Sequence, residues 1–307
     1  MPRHPQLQAY LALAAVCIFW GTTYLGIRIA LESMAPAVLL SLRYTLSGGI
    51  LLIVAYFSKA HIPTGRELRH TALHGVIIIG MGTGSLVFAE QWVPSGLAAV
   101  FITVSPFWMV GMEALIPGGD PLYGPTIAGM IVGLAGTVLL ITPEAMQEGF
   151  GGPLLRGFLL LQLGAAGWAF GSILQRRHQT RAHPVVSGAV QQLATGLAFA
   201  VPAFLARPYP STWSTRSLGA VAYLVVFGSI VGYSAYSFAL DRLPISVVSI
   251  YTYINPVIAI FLGWIFFREH IGLLELFAML IIFAGVALVK RYSRQSSPKP
   301  VRASAAS

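Results

Sequence analysis

Ten runs of about twenty mostly apolar residues, parted by short polar breaks, leave this chain few ways to fold. They fall near residues 10–31, 36–57, 71–92, 95–116, 123–142, 154–177, 184–206, 217–240, 244–267 and 271–290. At about 1.5 Å of rise per residue, each spans the roughly 30 Å of a bilayer's hydrocarbon as a helix. Inside that layer no water meets the backbone N–H and C=O groups, so helices are the form these runs must take. Only 9% of the 307 residues are charged, against roughly 25% in a soluble domain, too few to cover a water-facing surface. The expected class is an all-α integral membrane protein with ten transmembrane helices. The first run is about 22 residues long and no small-residue cleavage site closes it, so it reads as a retained span rather than a signal peptide. Pro36, Pro94, Pro184 and Pro244 stand at or just before helix starts, where a missing N–H does no harm.

The chain repeats itself. Trp20 and Pro36 recur as Trp168 and Pro184, each 148 residues on. Pro94 and Pro106 recur as Pro244 and Pro256 at 150, and Gly136 as Gly285 at 149. The repeats are set at residues 10–142 and 154–290, with five spans each. An odd number of spans makes the second half enter the membrane from the opposite side. Such inverted repeats are a signature of secondary transporters, whose substrate site lies near the midplane between halves. With the N-terminus in the cytoplasm, Arg3, Lys59, Arg66, Arg69, Arg176, Arg177, Arg181, Arg242, Lys290, Arg291, Arg294, Lys299 and Arg302 all fall on the cytoplasmic side. Only Arg156, Arg207, Arg216 and Arg268 fall on the other. This bias places both termini in the cytoplasm and the protein in a cytoplasmic membrane. The Ser-, Pro- and Lys-rich stretch 291–307 reads as a disordered basic tail.

The net charge of +9 is spread between the spans and the tail. It reflects topology, and no nucleic-acid partner is expected. Cys17 is the one cysteine, so neither a disulfide nor a cysteine metal site can form. Nearly all of the seven histidines read as loop or terminal residues. No metal site, no cofactor and no catalytic residue is expected. HExxH, GxSxG and Walker A motifs are absent from the sequence. Lysine occurs only at 59, 290 and 299, which disfavours phosphate-bearing substrates.

Charge inside a bilayer marks function by default. Arg43 sits roughly 5 Å from the middle of its span, counting the helix rise. Glu90, in the last turn of span 3, is the carboxylate nearest to it in depth. Two readings stand: both line the pathway and orient a substrate carboxylate or ammonium, or they form a structural ion pair. Arg28 and Glu32, four residues apart, read as an on-helix pair. Glu113 reads as a coupling group or as a side chain reaching the inner interface. Pro106 and Pro256 fall near the middle of their spans, after Ser105 and Asn255, and read as hinges. Trp20, Tyr24, Trp168, Tyr233, Tyr236, Tyr251 and Asn255 cluster in depth. Together they read as the wall of a cavity for apolar, aromatic or cationic solutes, and singly as packing. The GxxxG pairs, Gly80/Gly84 and Gly129/Gly133 among them, read as close helix contacts.

The ordered segments Trp20-Gly21-Thr22-Thr23-Tyr24 with Arg28, Glu90 with Val93-Pro94-Ser95-Gly96, and Ser105-Pro106 carry a resemblance. So do Gly133-Leu134-Ala135-Gly136, Trp168-Ala169-Phe170-Gly171-Ser172, Asn255-Pro256-Val257, Gly263 with Glu269, and Gly285-Val286. From about residue 10 to 290 the chain resembles the EamA-type drug/metabolite transporters, which carry two five-helix EamA domains. The resemblance implies a basket-like carrier with a central cavity that exports amino acids, other metabolites or drugs, driven by an ion or proton gradient. One departure is visible: opposite Glu269 the first half has Gly119 or Asp120, where family members often have another Glu. The expectation is a secondary exporter working by alternating access as a monomer in the lipid bilayer. Trp20, Tyr24, Arg43, Glu90, Trp168, Tyr233 and Asn255 would contact solute, Pro106 and Pro256 would bend, and Glu113 would couple. The alternatives are a membrane enzyme with an intramembrane site and a non-transporting scaffold or receptor.

Overall fold

The computed structural model describes residues 5–117, 122–148, 152–178, 180–205, 212–240, 242–243, 248, 251–269 and 272–292. Within them the chain forms ten helical rods: α1 (Pro5–Ala30), α2 (Pro36–Phe57), α3 (Gly65–Ala89), α4 (Ser95–Leu115), α5 (Gly124–Glu148), α6 (Pro153–Arg177), α7 (Pro184–Leu205), α8 (from Thr215 to Leu240), α9 (Tyr251–Phe267) and α10 (Leu273–Tyr292). Each falls on one of the ten expected runs. Nine are long and apolar enough to cross a membrane, and α9, at 17 residues, is shorter. Two bounds depart from expectation. Helix α3 starts at Gly65 rather than near 71, directly after an extended Thr64, and its first turns are polar. An apolar-run criterion passes over such turns. Helix α10 runs through Arg291 and Tyr292, so these two residues of the expected tail are helical; residues 293–307, like Pro244, Gly119 and Asp120, lie outside the described residues.

On α2 the polar and small residues of the middle and last turns face the bundle, and the large apolar ones face out. On α2, Arg43, Tyr44, Ser47, Gly48, Leu51 and Ala55 are buried. Leu46, Ile50, Ile53, Val54 and Phe57 are exposed. The two sets alternate with the three-to-four-residue period of a helix. In a water-soluble bundle the polarity would be reversed, so this helix is built for an apolar solvent.

The halves pack as an inverted pair. Helix α2 lies along α7, its own counterpart, and α5 along its counterpart α10. Other major contacts between halves come with their mirror images: α1 on α9 with α6 on α4, α1 on α8 with α6 on α3, and α3 on α7 with α8 on α2, while α4 meets its own counterpart α9. This is the contact pattern of a two-fold axis relating the halves. Glycine makes the closest approaches. A Cβ on Gly48 would stand 2.4 Å from the Leu193 backbone nitrogen, and one on Gly196, 148 residues later, 2.3 Å from that of Thr45. Likewise Gly136 abuts Ile282 and the Ala278 carbonyl, while Gly285 abuts the backbone of Gly133 and Gly129. Lipid gives helices no hydrophobic drive to associate, so such backbone proximity supplies the dispersion contact that holds them together.

Pairings at the helix ends settle which ends share a face. Ala9 and Leu13 of α1 pack with Ala239, Leu243 and Val248, while Ala55 of α2 packs with Ala182 and Val186. Lys290 of α10 donates to Thr252 Oγ1 on α9 at 2.8 Å. These belong to one face, here the terminal face. On the opposite face Arg216 pairs with Glu32 at 3.4 Å and Ser217 Oγ donates to the Ile29 carbonyl at 3.0 Å.

Two irregularities lie inside the bundle. Helix α4 is broken at Thr103 and Val104, and α3 and α8 each carry a π-helical stretch, Val76–Met81 and Leu224–Val231. The two stretches start 148 residues apart, so they are one feature inherited by both halves. Such wide turns gather at functional sites.

The glycine contacts make a sharp prediction. Gly48→Ala forces a methyl into the α7 backbone and is expected to cost about 1–3 kcal/mol. Its neighbour Gly49 has no atom within 4 Å of its added Cβ, so Gly49→Ala is expected to be neutral or to gain about 0.5–1 kcal/mol of helix propensity. Thermal unfolding of the two variants in detergent checks the contrast; equal midpoints would contradict the packing.

Candidate functional site

Arg43 is 5% exposed, on the inner side of α2. Its Nε donates to Ser229 Oγ at 2.9 Å, within the π-helical stretch of α8, and its guanidinium lies 5.0 Å from the Tyr44 ring centre. Gly228 gives it room: a Cβ there would stand 3.0 Å from Arg43 Nη2. Nη1 has no hydrogen-bond partner. A permanent cation inside the span, with a donor left over, carries a cost of about 2.5–3.5 kcal/mol on insertion scales.

Glu90 directly follows the last turn of α3 and is 1% exposed, and neither carboxylate oxygen has a hydrogen-bond partner. The charges that reach it are those of Arg28, Arg43 and Glu269. Arg43 and Glu90 therefore sit in one electrostatic neighbourhood, yet no contact within 4 Å joins them. The structural ion pair considered from sequence is not formed. The Arg28–Glu32 pair is corrected too. Arg28 turns inward and its Nη1 donates to the Glu90 main-chain oxygen at 2.7 Å. Glu32 instead meets Arg216 of α8. Both guanidinium groups flank the Phe267 ring, at 5.6 and 5.9 Å from its centre.

Glu269, quoted from sequence only for its resemblance, has a plain structural task. Its carboxylate accepts from Ser95 N and Ser95 Oγ, both at 3.0 Å, and from Gly96 N at 3.2 Å. It thus caps the N-terminus of α4 from another half of the protein, where the helix end favours negative charge. A Cβ on Gly263 would stand 2.3 Å from its Oε2, so Gly263 clears the space. Four residues of the motif set assemble as one joint between halves.

The aromatic cluster is real on one side of the axis. Trp20 Nε1 donates to the Gly228 carbonyl at 3.1 Å. Its ring lies 5.0 Å from Tyr236 and 5.1 Å, edge-on, from Tyr251. Tyr233 follows Tyr236 at 6.5 Å and packs over Gly188 of α7. Tyr24 is buried and within electrostatic reach of Glu90 and Tyr251. Trp168 is seated elsewhere: it covers Gly82 of α3, as Trp20 covers Gly232 of α8. The two tryptophans are mirrored seats of the fold, each locking the first helix of one half to the third of the other. Asn255 is also occupied. With its amide nitrogen turned to donate, it meets the carbonyl oxygens of Tyr251 at 3.1 Å and Cys17 at 3.0 Å, stapling α9 to α1.

An open groove of about 670 Å³ lies between Gln8, Leu11 and Ala12 of α1 and Ile230, Ser234 and Phe238 of α8. The two prolines differ. Pro106 stands in the first turn after the break in α4, and the Ser105 hydroxyl donates to the Ile102 carbonyl that its missing N–H leaves open. Pro256 lies inside the continuous α9. Glu113 is half-buried on the second part of α4. The π-helical turns were not foreseen; the glycines inside them, Gly80 and Gly228, and those directly after them, Gly82 and Gly232, were the available signal.

A profile of the EamA-like transporter family matches residues 7–142 and 155–291, one copy per half. The chain is 32% identical over 293 residues to the uncharacterized inner membrane transporter YedA of Escherichia coli K12, covering 94% of this chain and 93% of that protein. It is 24% identical to the uncharacterized transporter YvbV of Bacillus subtilis 168, covering 96% and 95%, and 25% identical to protein PecM of Dickeya dadantii, covering 95% and 96%. A solved structure described only as a crystal structure of protein superposes with a TM-score of 0.64 at 22% identity, covering 94% of this chain and 98% of that one. A multi-pass membrane architecture in two matched halves, with the family profile on each, leads to one conclusion: the chain belongs to the EamA-like transporter family.

Proposed function

We propose that the protein is a secondary carrier that exports small zwitterionic metabolites, amino acids foremost, across a cytoplasmic membrane by alternating access. The observation that carries this reading is the pair of buried, unfulfilled charges. Arg43 holds a free donor and Glu90 two free acceptors, close enough to feel one another without touching. An amino acid carries the complementary groups on one carbon. Its carboxylate would take Arg43 Nη1, and its ammonium would face Glu90. Trp20, Tyr24, Tyr233 and Tyr236 would then surround its side chain, with cation–π attraction for the ammonium. Trp168 and Asn255 are kept beside them as solute contacts, although like Trp20 they also serve the packing of helices. Pro106 and Pro256 are assigned to bending, and Glu113 to coupling with a proton or ion gradient. One chain holds both halves and is taken to work as a monomer.

Reconstituted vesicles loaded with labelled amino acids test the assignment. Wild-type protein should release at least one of them, and Arg43→Ala should abolish the flux while the protein still inserts. Arg43→Lys keeps the charge and loses the Nε bond to Ser229. A charge-assisted hydrogen bond is worth about 1.5–3 kcal/mol, so flux should fall about tenfold or more. Glu90→Gln should lose transport of substrates carrying an ammonium. Wild-type flux in Arg43→Ala vesicles would remove the site from the pathway. Orientation has its own check: green fluorescent protein fused after Ser307 should fluoresce, whereas an active alkaline phosphatase at that end would reverse the topology.

A further inference from the structure

The imidazoles of His70, His74 and His178 converge, although the sequence reading assigned histidines to loops and expected no metal. The early start of α3 explains the difference. His70 and His74 both fall on that helix, one turn apart on one face, and His178 follows the last residue of α6. Ring centres lie 4.7 Å apart for His70 and His178, 5.5 Å for His74 and His178, and 6.3 Å for His70 and His74. One ligand nitrogen from each falls within 4.8 Å of the other two. From these three side chains we infer a binding site for a divalent transition metal of the Zn²⁺ class on the terminal face, between the two halves.

Packing does not require imidazole here. In a molecule whose helix seats are mirrored, the positions 148 residues away are Leu218, Ala222 and Ala30. The three histidines are an addition to one end only. The surroundings also set the geometry. His178 Nδ1 lies 3.1 Å from the Leu174 carbonyl oxygen, which can only accept. The proton is therefore on Nδ1 and the Nε2 lone pair is free, as in metal-binding histidines oriented by a carbonyl. Glu67 accepts from the Thr180 hydroxyl and, at 2.7 Å, from the Arg181 backbone N–H. That ties the segment after His178 to the first turn of α3, next to His70.

Three imidazoles select borderline metals such as Zn²⁺ over Ca²⁺ and Mg²⁺, which require oxygen ligands. Zn–N bonds of about 2.1 Å in a tetrahedron set nitrogens about 3.4 Å apart, so the rings close by at most about 1.4 Å. His74 is buried, and the exposed His178 leaves the fourth position to water. One competitor is present: Arg66 Nε donates to His70 Nε2 at 3.4 Å and swings out when the ion enters. That contest and the positive charge of Arg69 and Arg177, next in sequence to His70 and His178, weaken the binding. Because α3 and α6 belong to different halves, a bound ion joins them. On the carrier reading proposed above, it would hold the terminal face closed and arrest transport.

The purified full chain in detergent, titrated with Co²⁺ and then Zn²⁺, tests the site without any transport assay. One equivalent of Co²⁺ should give a tetrahedral visible spectrum that Zn²⁺ removes. His70→Gln and His178→Gln, both at accessible positions, should each weaken Zn²⁺ binding at least tenfold by calorimetry while the metal-free melting midpoint holds. His183→Gln, away from Glu67, should leave binding intact. Absent binding, or binding unchanged in the His70→Gln/His178→Gln double variant, overturns the site, as does loss of binding in the His183→Gln control. In vesicles, Zn²⁺ should inhibit wild-type flux and spare His178→Gln. Binding without inhibition overturns the arrest alone, and a failed carrier assay leaves the metal result standing.

Discussion

In a hydrocarbon solvent, apolar side chains gain nothing by leaving the surface, so helices must be held by contact and by hydrogen bonds made between them. Everything in this fold follows from that. Glycine brings α2 against α7 and α5 against α10 until a single methyl would collide with backbone. The remaining joints are polar groups that satisfy each other across halves. Glu269 caps α4, Asn255 bridges α9 to α1, and Ser47 donates to Gln192 Oε1 at 2.6 Å between α2 and α7. Where the α4 backbone breaks, hydroxyls of Thr103 and Ser105 take up the carbonyls of Val100 and Ile102. Lipid would punish each of these groups if it were left alone.

The frame is symmetric and the chemistry is not. Tryptophan on glycine, glycine on backbone and the π-helical stretches all recur at 148 to 150 residues. The charges do not. The position 148 beyond Arg43 is Gln191, whose amide donates to Gln175 at 3.0 Å, and the position of Met81 answers Ser229. Duplicated packing must be kept in both halves because each seat supports its mirror image. A binding group needs to exist once. Arg43, Glu90 and the three histidines have no like residue at the matching position, whereas Trp168 answers Trp20.

Much of the fold was legible because the bilayer leaves a chain few choices. Run lengths gave ten helices, and the spaced Trp, Pro and Gly landmarks gave the inverted halves. Legibility failed where a residue's partner is distant in sequence. Nothing near Arg28 says that it leaves Glu32 for the Glu90 carbonyl, and nothing near Asn255 says that its amide is spent on Cys17 and Tyr251. Arg43 and Glu90 stood out because a charge in an apolar run is anomalous on its own. The histidines did not, because hydropathy misplaced the start of α3 and so hid the one-turn spacing of His70 and His74.

The irregular turns connect frame and chemistry. A regular helix spends every carbonyl on the N–H four residues on, whereas a π-helical stretch turns its groups out of that register. In α8 this frees the Gly228 carbonyl for Trp20 and presents Ser229 to Arg43. Arg43 is thus tied to the same stretch that seats Trp20, so a shift of α8 along α1 would alter both at once. The tight glycine contacts of α2 with α7 and α5 with α10 resist sliding, since backbone meets backbone there. The contacts of α1 with α8 run through side chains instead: Trp20 on Gly232, Phe19 against Phe227 at 5.0 Å, the Thr22 and Tyr223 hydroxyls, and the Arg216–Glu32 pair. On the carrier reading proposed above, motion between the halves would use these side-chain contacts, which can re-form in a new register where backbone packed on backbone cannot.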